Sequence, residues 1–401
     1  MDSEGVAPSS GDDYKPQTMT EESSGVEVVV IGAGFAGAAT ALALARDGHS
    51  GVLVIEAEKG PGHHASGRNA AMARRLVADP LLAGLATQSL ELLRELEVRR
   101  DIQLLDPVGG MLIGDSADCH RLLRTAQEVE GLGEETQALE GAELVERVPA
   151  LRGATSSAAV YSSGCGVVDI HGLLTTLIEE ARSLGVRFMY DSPVERIEVK
   201  DSRVAAVSIA YETYWCDNIV NAAGHRAGII GTMAGAQELP LRPSRRHLYV
   251  TEGAGRVTPG APYVWDITHG FYFRPEGDGL LLCACDETLW PDEELVVDPG
   301  HRDALAQVFL SHAPALGDVR PTRSWVGLRT GTPDGRFILG PDPTVGGFTW
   351  AAGLGGHGMT TALGVGELVA SSVMEGRVPE PYGVAFAPER WFEGHASWHA
   401  R

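Results

Sequence analysis

The sequence has little positive charge, no long apolar run and no regular spacing of cysteines. Its 401 residues include 32 Lys and Arg against 54 Asp and Glu, which gives a formal net charge of −22. Because nucleic acids and anionic membranes are bound through Lys and Arg, this balance argues against either as the main partner. No run of about 18 apolar residues is present, so no membrane-spanning helix is expected.

The five cysteines also lack the pattern of a disulfide framework or of a metal site. An odd number without regular spacing does not suggest paired bridges. Cys283 and Cys285 would share one face of a strand, but no second pair of soft ligands accompanies them. A buried strand accounts better for this run, and we expect no metal site.

The first 24 residues are polar, acidic and rich in Ser and Gly. They lack the basic start and apolar centre of a secretory signal, and their composition predicts a disordered tail. Without an export signal, a cytoplasmic location is the expectation. The length of the remaining chain exceeds one ordinary core and predicts two domains.

A glycine-rich turn follows the first apolar run, residues 27–31, and leads into a helix-forming run of small residues, 38–45. A second β-branched run, 51–55, ends at Glu56 with Ala57 beside it. The turn itself reads Gly32-Ala33-Gly34-Phe35-Ala36-Gly37. This order of strand, turn, helix and strand is the context that a dinucleotide-binding fingerprint requires.

Each part of the turn has a physical task. Gly32 permits the tight turn, Gly34 leaves room for a pyrophosphate, and Gly37 lets the helix pack against the strand. The free N–H groups and the positive dipole end of the helix face the phosphates. Glu56 is placed to accept hydrogen bonds from ribose hydroxyls. The fingerprint predicts a bound dinucleotide without distinguishing FAD from NAD.

Five later segments accompany the turn in a fixed order. They are 62–71 (GHHASGRNAA), 219–224 (IVNAAG), 325–329 (WVGLR), 332–336 (TPDGR) and 353–359 (GLGGHGM). Together they resemble the FAD-dependent amino-acid oxidoreductases of the D-amino-acid oxidase superfamily, which includes glycine oxidase and sarcosine oxidase. Within it, the D-arginine dehydrogenase type is the nearest likeness. The resemblance extends from about residue 26 to about residue 375.

The resemblance implies FAD as the cofactor and assigns its contacts to loops far apart in sequence. A glycine-rich entry to a helix near Thr360 would place N–H groups against the pyrimidine end of the flavin, where negative charge grows on reduction. Val194 would hold adenine through its main chain. The other implied contacts are His64, Ser66, Gly67, Arg68, Asn69 and Ala71, then Ala222, Ala223 and Gly224, and finally Gly353, Gly355, Gly356, His357, Gly358 and Met359.

The resemblance also implies a substrate site for an amino acid or amine. Arg329 matches the carboxylate-binding arginine, whose planar fork can form two parallel bonds. Tyr272 matches a phenol that donates to the same carboxylate, and Arg246 matches a second arginine, a role that Arg245 takes if the alignment shifts by one. The implied reaction transfers the α-hydrogen as hydride to flavin N5. The imine then hydrolyses to a 2-oxo acid, and oxygen or another acceptor reoxidises the flavin.

The sequence departs from the D-arginine dehydrogenase type at two positions. A histidine and a tyrosine of that type are replaced by Met72 and Val77, and the acidic residue for a cationic side chain would correspond to Asp101. His64 matches a histidine that carries FAD covalently in the dimethylglycine dehydrogenase branch. Three alternatives remain: an oxidoreductase of N-substituted glycines or secondary amines, a flavin-binding subunit without turnover, and an NAD-dependent dehydrogenase.

The expected fold is α/β (α+β), with a Rossmann-type FAD-binding domain and a substrate domain on a mixed, mostly antiparallel sheet. The FAD domain would be discontinuous, and residues 81–100 are predicted to form a helix. The expected ranges are 25–80, 160–225 and 323–377 for the FAD domain, 81–159 and 226–322 for the substrate domain, and 378–401 for a C-terminal extension.

Overall fold

The structure of the protein is a computed structural model that describes residues 25–253, 258, 260–291 and 294–392. The predicted tail, residues 1–24, and the last part of the predicted C-terminal extension, 393–401, lie outside the described residues.

The described part of the chain contains twenty strands and nine α-helices. The strands are β1 (Val28–Ile31), β2 (Val52–Ile55), β3 (Met72–Ala73), β4 (Leu105–Asp106), β5 (Gly110–Gly114), β6 (Thr136–Glu140), β7 (Ala158–Ser162), β8 (Gly166–Val168), β9 (Arg187–Met189), β10 (Val194–Lys200), β11 (Arg203–Ile209), β12 (Glu212–Trp215), β13 (Asn218–Asn221), β14 (Arg242–Thr251), β15 (Tyr263–Asp266), β16 (Phe271–Glu276), β17 (Gly279–Cys283), β18 (Pro321–Gly331), β19 (Ile338–Pro341) and β20 (Phe348–Ala352). The helices are α1 (Phe35–Arg46), α2 (Pro80–Arg100), α3 (Ser116–Glu128), α4 (Ala142–Arg147), α5 (Ile170–Ser183), α6 (Ala227–Met233), α7 (Gly300–His312), α8 (Ala362–Glu375) and α9 (Gly383–Phe386).

The first sheet is mostly parallel and has the strand order β19-β20-β13-β1-β2-β9. Only β19, at one edge, is antiparallel to its neighbour. Side chains of β1 alternate between two cores, as the period of a strand requires. Val28 and Val30 pack with helices α1, α5 and α8, whereas Val29 and Ile31 pack with the small antiparallel sheet β10-β11-β12. These three layers confirm the predicted Rossmann-type domain.

The second sheet has eight strands in the order β18-β14-β17-β16-β15-β5-β7-β6. All neighbours are antiparallel except β15 and β5, which confirms the predicted mixed, mostly antiparallel sheet. Phe271 and Phe273 of β16 pack on one face against helix α7, and Tyr272 between them points to the opposite face. The predicted buried strand ends at Cys283, and Cys285 lies beyond it with φ 48°.

The domain boundaries remain a prediction, with two differences in the packing. Strand β18 belongs to the second sheet, although its residues from 323 onward were expected in the FAD domain. Helix α2 packs against α8 of the first domain, although residues from 81 were expected in the substrate domain. The contact is close, since a Cβ on Gly364 would lie 2.7 Å from Leu85 Cδ1.

The C-terminal segment is tied to the body of the protein by an ion pair. Arg390 Nε donates to Asp334 Oδ2 over 2.8 Å, and the two side chains are 12% and 17% exposed. Asp334 Oδ1 also accepts hydrogen bonds from Thr332 Oγ1 and Arg336 N. Burial raises the pKa of Asp334, but the hydrogen bond from Arg390 and its neighbours hold it below the ordinary value.

We expect Asp334→Asn to lower the free energy of unfolding by about 1–3 kcal/mol, because Arg390 would lose its charged partner. A lowered folded pKa gives stability that is complete above the unfolded value, about 3.9, and is lost as pH falls through the folded pKa. Urea unfolding at several pH values measures both effects. Arg377→Ala is the control, since Arg377 is 69% exposed and pairs with Glu375 at 3.7 Å. Equal losses at neutral pH and at pH about 3 would contradict the assignment.

None of the helices in the described part of the chain is long and apolar enough to cross a membrane.

Candidate functional site

One cavity runs from the carboxyl ends of the first sheet to the inner face of the second sheet. It passes Ile31 and Ile55 at the ends of β1 and β2, and it reaches Tyr272 and Arg329 on β16 and β18. The structure therefore brings segments from both ends of the chain to one site.

Most of the residues predicted to bind a cofactor or substrate line this cavity. Those that do are Gly32, Gly34, Phe35, Ala36, Glu56, Ala57, His64, Ser66, Asn69, Ala71, Val194, Ala222, Ala223, Gly224, Gly353, Gly355, Gly356, Gly358 and Met359, together with Arg246, Tyr272 and Arg329. The predicted residues that do not line it are Gly37, Gly67, Arg68 and His357.

The glycine turn has no room for side chains. Gly32 has φ 107°, and a Cβ there would lie 2.5 Å from the carbonyl oxygen of Ala222. A Cβ on Gly37 would lie 1.9 Å from the carbonyl oxygen of Gly32. At Gly34 the nearest atom is the Ser66 hydroxyl, 2.9 Å from an added Cβ. The turn is thus packed against Ala222 at the end of β13, while its other side lines the cavity.

The carboxylate of Glu56 braces the turn from the end of β2. Its Oε2 accepts a hydrogen bond from Ala33 N over 2.7 Å, and its Oε1 accepts one from Glu58 N over 2.9 Å. The first amide of helix α1, Phe35 N, donates to Ser66 Oγ over 3.0 Å. These groups hold the entry of the helix toward the cavity, where a helix N-terminus attracts anions.

The loop that contains Ser66 is fixed by its own side chains. Asn69 Nδ2 donates to the Ser66 carbonyl over 2.7 Å, and Asn69 Oδ1 accepts from Ala71 N over 2.7 Å. Ala71 adopts φ 61°, which is uncommon for a residue with a side chain. The Arg68 carbonyl accepts a hydrogen bond from Arg329 Nη2 over 3.5 Å, and this bond connects the loop to the second sheet.

Two histidines present unpartnered ring nitrogens at the cavity. His64 Nε2 lies 2.8 Å from Glu58 Oε1, and its ring is 4.4 Å from the ring of His225. Among the described residues, His64 Nδ1 and His225 Nε2 are buried without a hydrogen-bond partner. Burial and the neighbouring His64 and Arg226 lower the pKa of His225 to about 3, so its ring is neutral. Buried orphan nitrogens next to the glycine turn fit a polar ligand such as a bound dinucleotide.

The inner face of the second sheet carries the candidate substrate residues. Arg246 on β14 pairs with Gly327 on β18, and Arg329 lies two residues further along the same face. A Cβ on Gly327 would lie 2.3 Å from the Arg68 carbonyl, so this glycine allows the loop that contains Ser66 to approach the sheet. Arg246 lines the cavity and Arg245, one residue earlier, does not.

Arg329 is a half-buried cation without a carboxylate partner among the described residues. Its Nη1 donates to the Leu328 carbonyl over 2.8 Å and its Nη2 to the Arg68 carbonyl. Burial lowers the pKa of its guanidinium. Tyr272, 2% exposed, lies close by, and burial raises the pKa of its phenol well above the ordinary value. Tyr272 therefore remains protonated and can donate a hydrogen bond.

Arg246, in contrast, is already neutralised. Its Nη2 lies 2.8 Å from Glu287 Oε1, and its Nε donates to the Asp286 carbonyl over 2.8 Å. The Asp286 carboxylate is held by His247 Nδ1 at 2.7 Å, and burial, which raises its pKa, is outweighed by this hydrogen bond. His301 lies within 4.8 Å of this pair, but His247 Nε2 accepts from Asp298 N. This cluster fixes Asp286, whose main-chain carbonyl accepts the hydrogen bond from Arg246 Nε.

Two residues at the substrate end of the cavity, Arg74 and Trp265, were not predicted from the sequence. The Arg74 guanidinium lies 3.9 Å over the Trp265 ring, and its Nη2 is 3.0 Å from His357 Nε2. Burial and Arg74 lower the pKa of His357 to about 3. The sequence feature that could have indicated Arg74 is the charged pair Arg74-Arg75, which directly follows the apolar residues 70–73.

The two departures from the resemblance have different outcomes. Met72 lines the cavity, whereas Val77 is buried elsewhere. The expected match of Asp101 to a substrate-binding acid is wrong. Asp101 is exposed, ends helix α2 with φ 51° and is absent from the cavity wall. No acidic residue of the described cavity wall replaces it near Arg329, since Glu56 and Glu58 lie at the end of β2.

Comparisons with known proteins agree with this geometry. Residues 27–372 match the DAO family, described as FAD dependent oxidoreductase. The chain is 27% identical to D-amino acid dehydrogenase 2 of Ralstonia nicotianae, over 90% of this chain and 100% of that protein. It is 26% identical to human mitochondrial sarcosine dehydrogenase, over 88% of this chain and 40% of that protein. L-proline dehydrogenase from P. horikoshii has the same fold, with a TM-score of 0.83, 23% identity, and coverage of 91% and 97% of the two chains. The chain therefore belongs to the DAO family and is an FAD-dependent oxidoreductase.

Proposed function

We propose that this protein oxidises the C–N bond of an amino acid or N-substituted amino acid, and that the imine then hydrolyses to a 2-oxo acid. One observation carries the proposal. Arg329, a half-buried guanidinium without a carboxylate partner among the described residues, lines the same cavity as the glycine turn. A cation left uncompensated in a cavity wall favours an anionic ligand there, and an amino acid offers its carboxylate.

The residues present fit FAD, which in this reaction supplies the acceptor for two electrons and the α-hydrogen. The turn 32–37 and Glu56 would hold the pyrophosphate and the ribose. The segment 353–359, whose Gly355 and Gly356 have nothing within 4 Å of an added Cβ, would accommodate the flavin ring against the backbone. His64, Asn69 and Ala71 line the same cavity.

The protein's own residues would bind and orient the substrate. Arg329 would take the carboxylate through its fork, and Tyr272 would donate a further hydrogen bond to the same group. Two fixed contacts on one carboxylate restrict the rotation of the substrate, which aims its α-carbon in one direction. The apolar side chain of Met72 would exclude water beside it. Met72 would also suit an apolar alkyl group on the nitrogen, so N-alkylglycines belong among the candidate substrates.

Anaerobic reduction of the purified protein tests the proposal. We expect the yellow colour to bleach with at least one class among D-amino acids, L-amino acids and N-alkylglycines, and the 2-oxo acid to accumulate in turnover. Dithionite provides the control for a reducible flavin. A protein that dithionite bleaches and that no member of the panel reduces would be a flavin-binding subunit without turnover. Admission of air after bleaching distinguishes oxygen from another electron acceptor.

A further inference from the structure

The substrate end of the cavity contains more positive charge than one carboxylate can neutralise. Arg74, Arg246 and Arg329 all line it. Among the described residues of the cavity wall, only Glu56 and Glu58 are acidic, and both lie at the dinucleotide end beside β2. Whether each arginine already has a carboxylate partner therefore decides which of them can bind an anionic group of the substrate.

The three arginines differ in their partners. Arg246 already has a carboxylate partner, Glu287. Arg329 is bonded to main-chain carbonyls alone, and the proposed function gives it the substrate's carboxylate. Arg74 forms no ion pair with a carboxylate in the described part of the chain. Its guanidinium contacts the His357 ring and the face of Trp265.

These contacts orient Arg74 without neutralising it. The pKa of His357 is lowered to about 3, so its ring is neutral and accepts the hydrogen bond from Arg74. The Trp265 ring attracts the cation through its face but adds no negative charge. Burial lowers the pKa of the Arg74 guanidinium. A half-buried cation of this kind, without a carboxylate partner among the described residues, is stabilised when an anionic group reaches it.

Two aromatic rings connect Arg74 to the carboxylate-binding end. Trp265 and Tyr272 are register partners on β15 and β16, and their ring centroids are 4.9 Å apart. Arg74 lies over Trp265, while Tyr272 is close enough to Arg329 to influence its pKa. Arg74 thus contacts one ring of this aromatic pair, Trp265, and Arg329 lies near the other, Tyr272. Neither cation has a carboxylate partner among the described residues.

We propose that the substrate of this enzyme carries two anionic groups: an α-carboxylate bound by Arg329 and Tyr272, and a second carboxylate bound by Arg74 beside Trp265. This inference rests on the proposed function and specifies its substrate class as dicarboxylic amino acids or N-carboxyalkyl amino acids. A cationic substrate is disfavoured, because the cavity holds unpaired guanidinium groups at this end and Asp101 lies elsewhere.

Acid and amide pairs of equal size provide the test. Anaerobic flavin reduction is measured with glutamate against glutamine and aspartate against asparagine, in both enantiomers. N-carboxymethylglycine is compared with its monoamide. We expect the wild-type holoenzyme to prefer the diacid. Arg74→Met should lower that preference, the ratio of the two kcat/KM values, by about tenfold to a hundredfold, since a hydrogen bond to a charged group is lost. Arg74→Lys keeps the charge without the fork and should retain part of the preference.

Binding gives a second readout that does not depend on turnover. Glutarate and butyrate are titrated into the oxidised holoenzyme while the flavin absorption is recorded. We expect wild type to bind glutarate more tightly than butyrate, and Arg74→Met to lose most of this difference. The assignment of Arg74 is supported if wild type binds glutarate more tightly than butyrate and Arg74→Met does not.

The failures of the two proposals are distinguishable. If no amino acid of either charge reduces the flavin, both are overturned. If glutamine and asparagine reduce it as fast as the diacids in wild type, the proposed function stands and the second anion site is overturned. Equal proportional losses for acids and amides in Arg74→Met also overturn the site, because Arg74 would then act on the cofactor.

Discussion

Replacement of Arg329 by lysine is expected to lower kcat/KM for the amino-acid substrate by roughly tenfold to a hundredfold. Lysine keeps the charge but cannot form the two parallel bonds of the guanidinium, and the loss of a hydrogen bond to a charged group costs about 1.5–3 kcal/mol. The loss should appear mainly in KM, since Arg329 is proposed to contact the carboxylate and not the reacting bond. Steady-state and anaerobic single-turnover kinetics measure the two contributions.

Arg323→Lys is the matched control for this change. Arg323 lies on the same strand, β18, and is exposed, so the identical substitution leaves the cavity unaltered. We expect wild-type kinetics from Arg323→Lys and an unchanged flavin content in both variants. Unchanged turnover and apparent affinity in Arg329→Lys would refute the assignment of Arg329.

Substitution of Gly37 by alanine is expected to weaken FAD binding by about a hundredfold, because overpacking of a close contact costs about 1–3 kcal/mol. The new Cβ would lie 1.9 Å from the Gly32 carbonyl oxygen, which is backbone and cannot rotate away. Helix α1 must move off the sheet, and the amides at its start lose their position against the phosphates. The flavin content after dialysis and the Kd of the apoprotein for FAD measure this effect.

Gly34→Ala keeps the test decisive if Gly37→Ala does not fold. At Gly34 the added Cβ meets a rotatable hydroxyl, Ser66 Oγ at 2.9 Å, so the apoprotein should fold while the ligand side of the turn is filled. Gly60→Ala is the control, since nothing lies within 4 Å of its added Cβ. Wild-type FAD affinity in Gly34→Ala and Gly37→Ala would disprove that the turn binds the pyrophosphate.

The dinucleotide turn could be predicted from sequence because its requirements are local. Six consecutive residues, 32–37, supply the tight turn, the open backbone and the start of a helix, and the flanking β-branched runs supply the strands. Helix α2 began at Pro80, one residue before the predicted start, and its Asp79 cap accepts from the amides of Leu81 and Leu82.

The limits of the domains were less predictable. Strand β18 contains Arg329, and its residues from 323 onward were expected in the FAD domain, yet β18 pairs along its length with β14 of the second sheet. Pairing of this kind depends on which strands meet in three dimensions. The local pattern of β18 is compatible with either sheet, so only the tertiary structure could place it.

By itself, the sequence determined the cofactor turn and, through resemblance, the family, FAD and the candidates Arg329 and Tyr272. Only the tertiary structure showed which cations of the site are compensated. Arg246 is neutralised by Glu287, 41 residues away, whereas Arg74 and Arg329 have no carboxylate partner in the described chain. The physical reason is that a buried charge depends on the groups that folding brings within a few ångströms and on the water that folding removes. Neither quantity is present in the order of the residues.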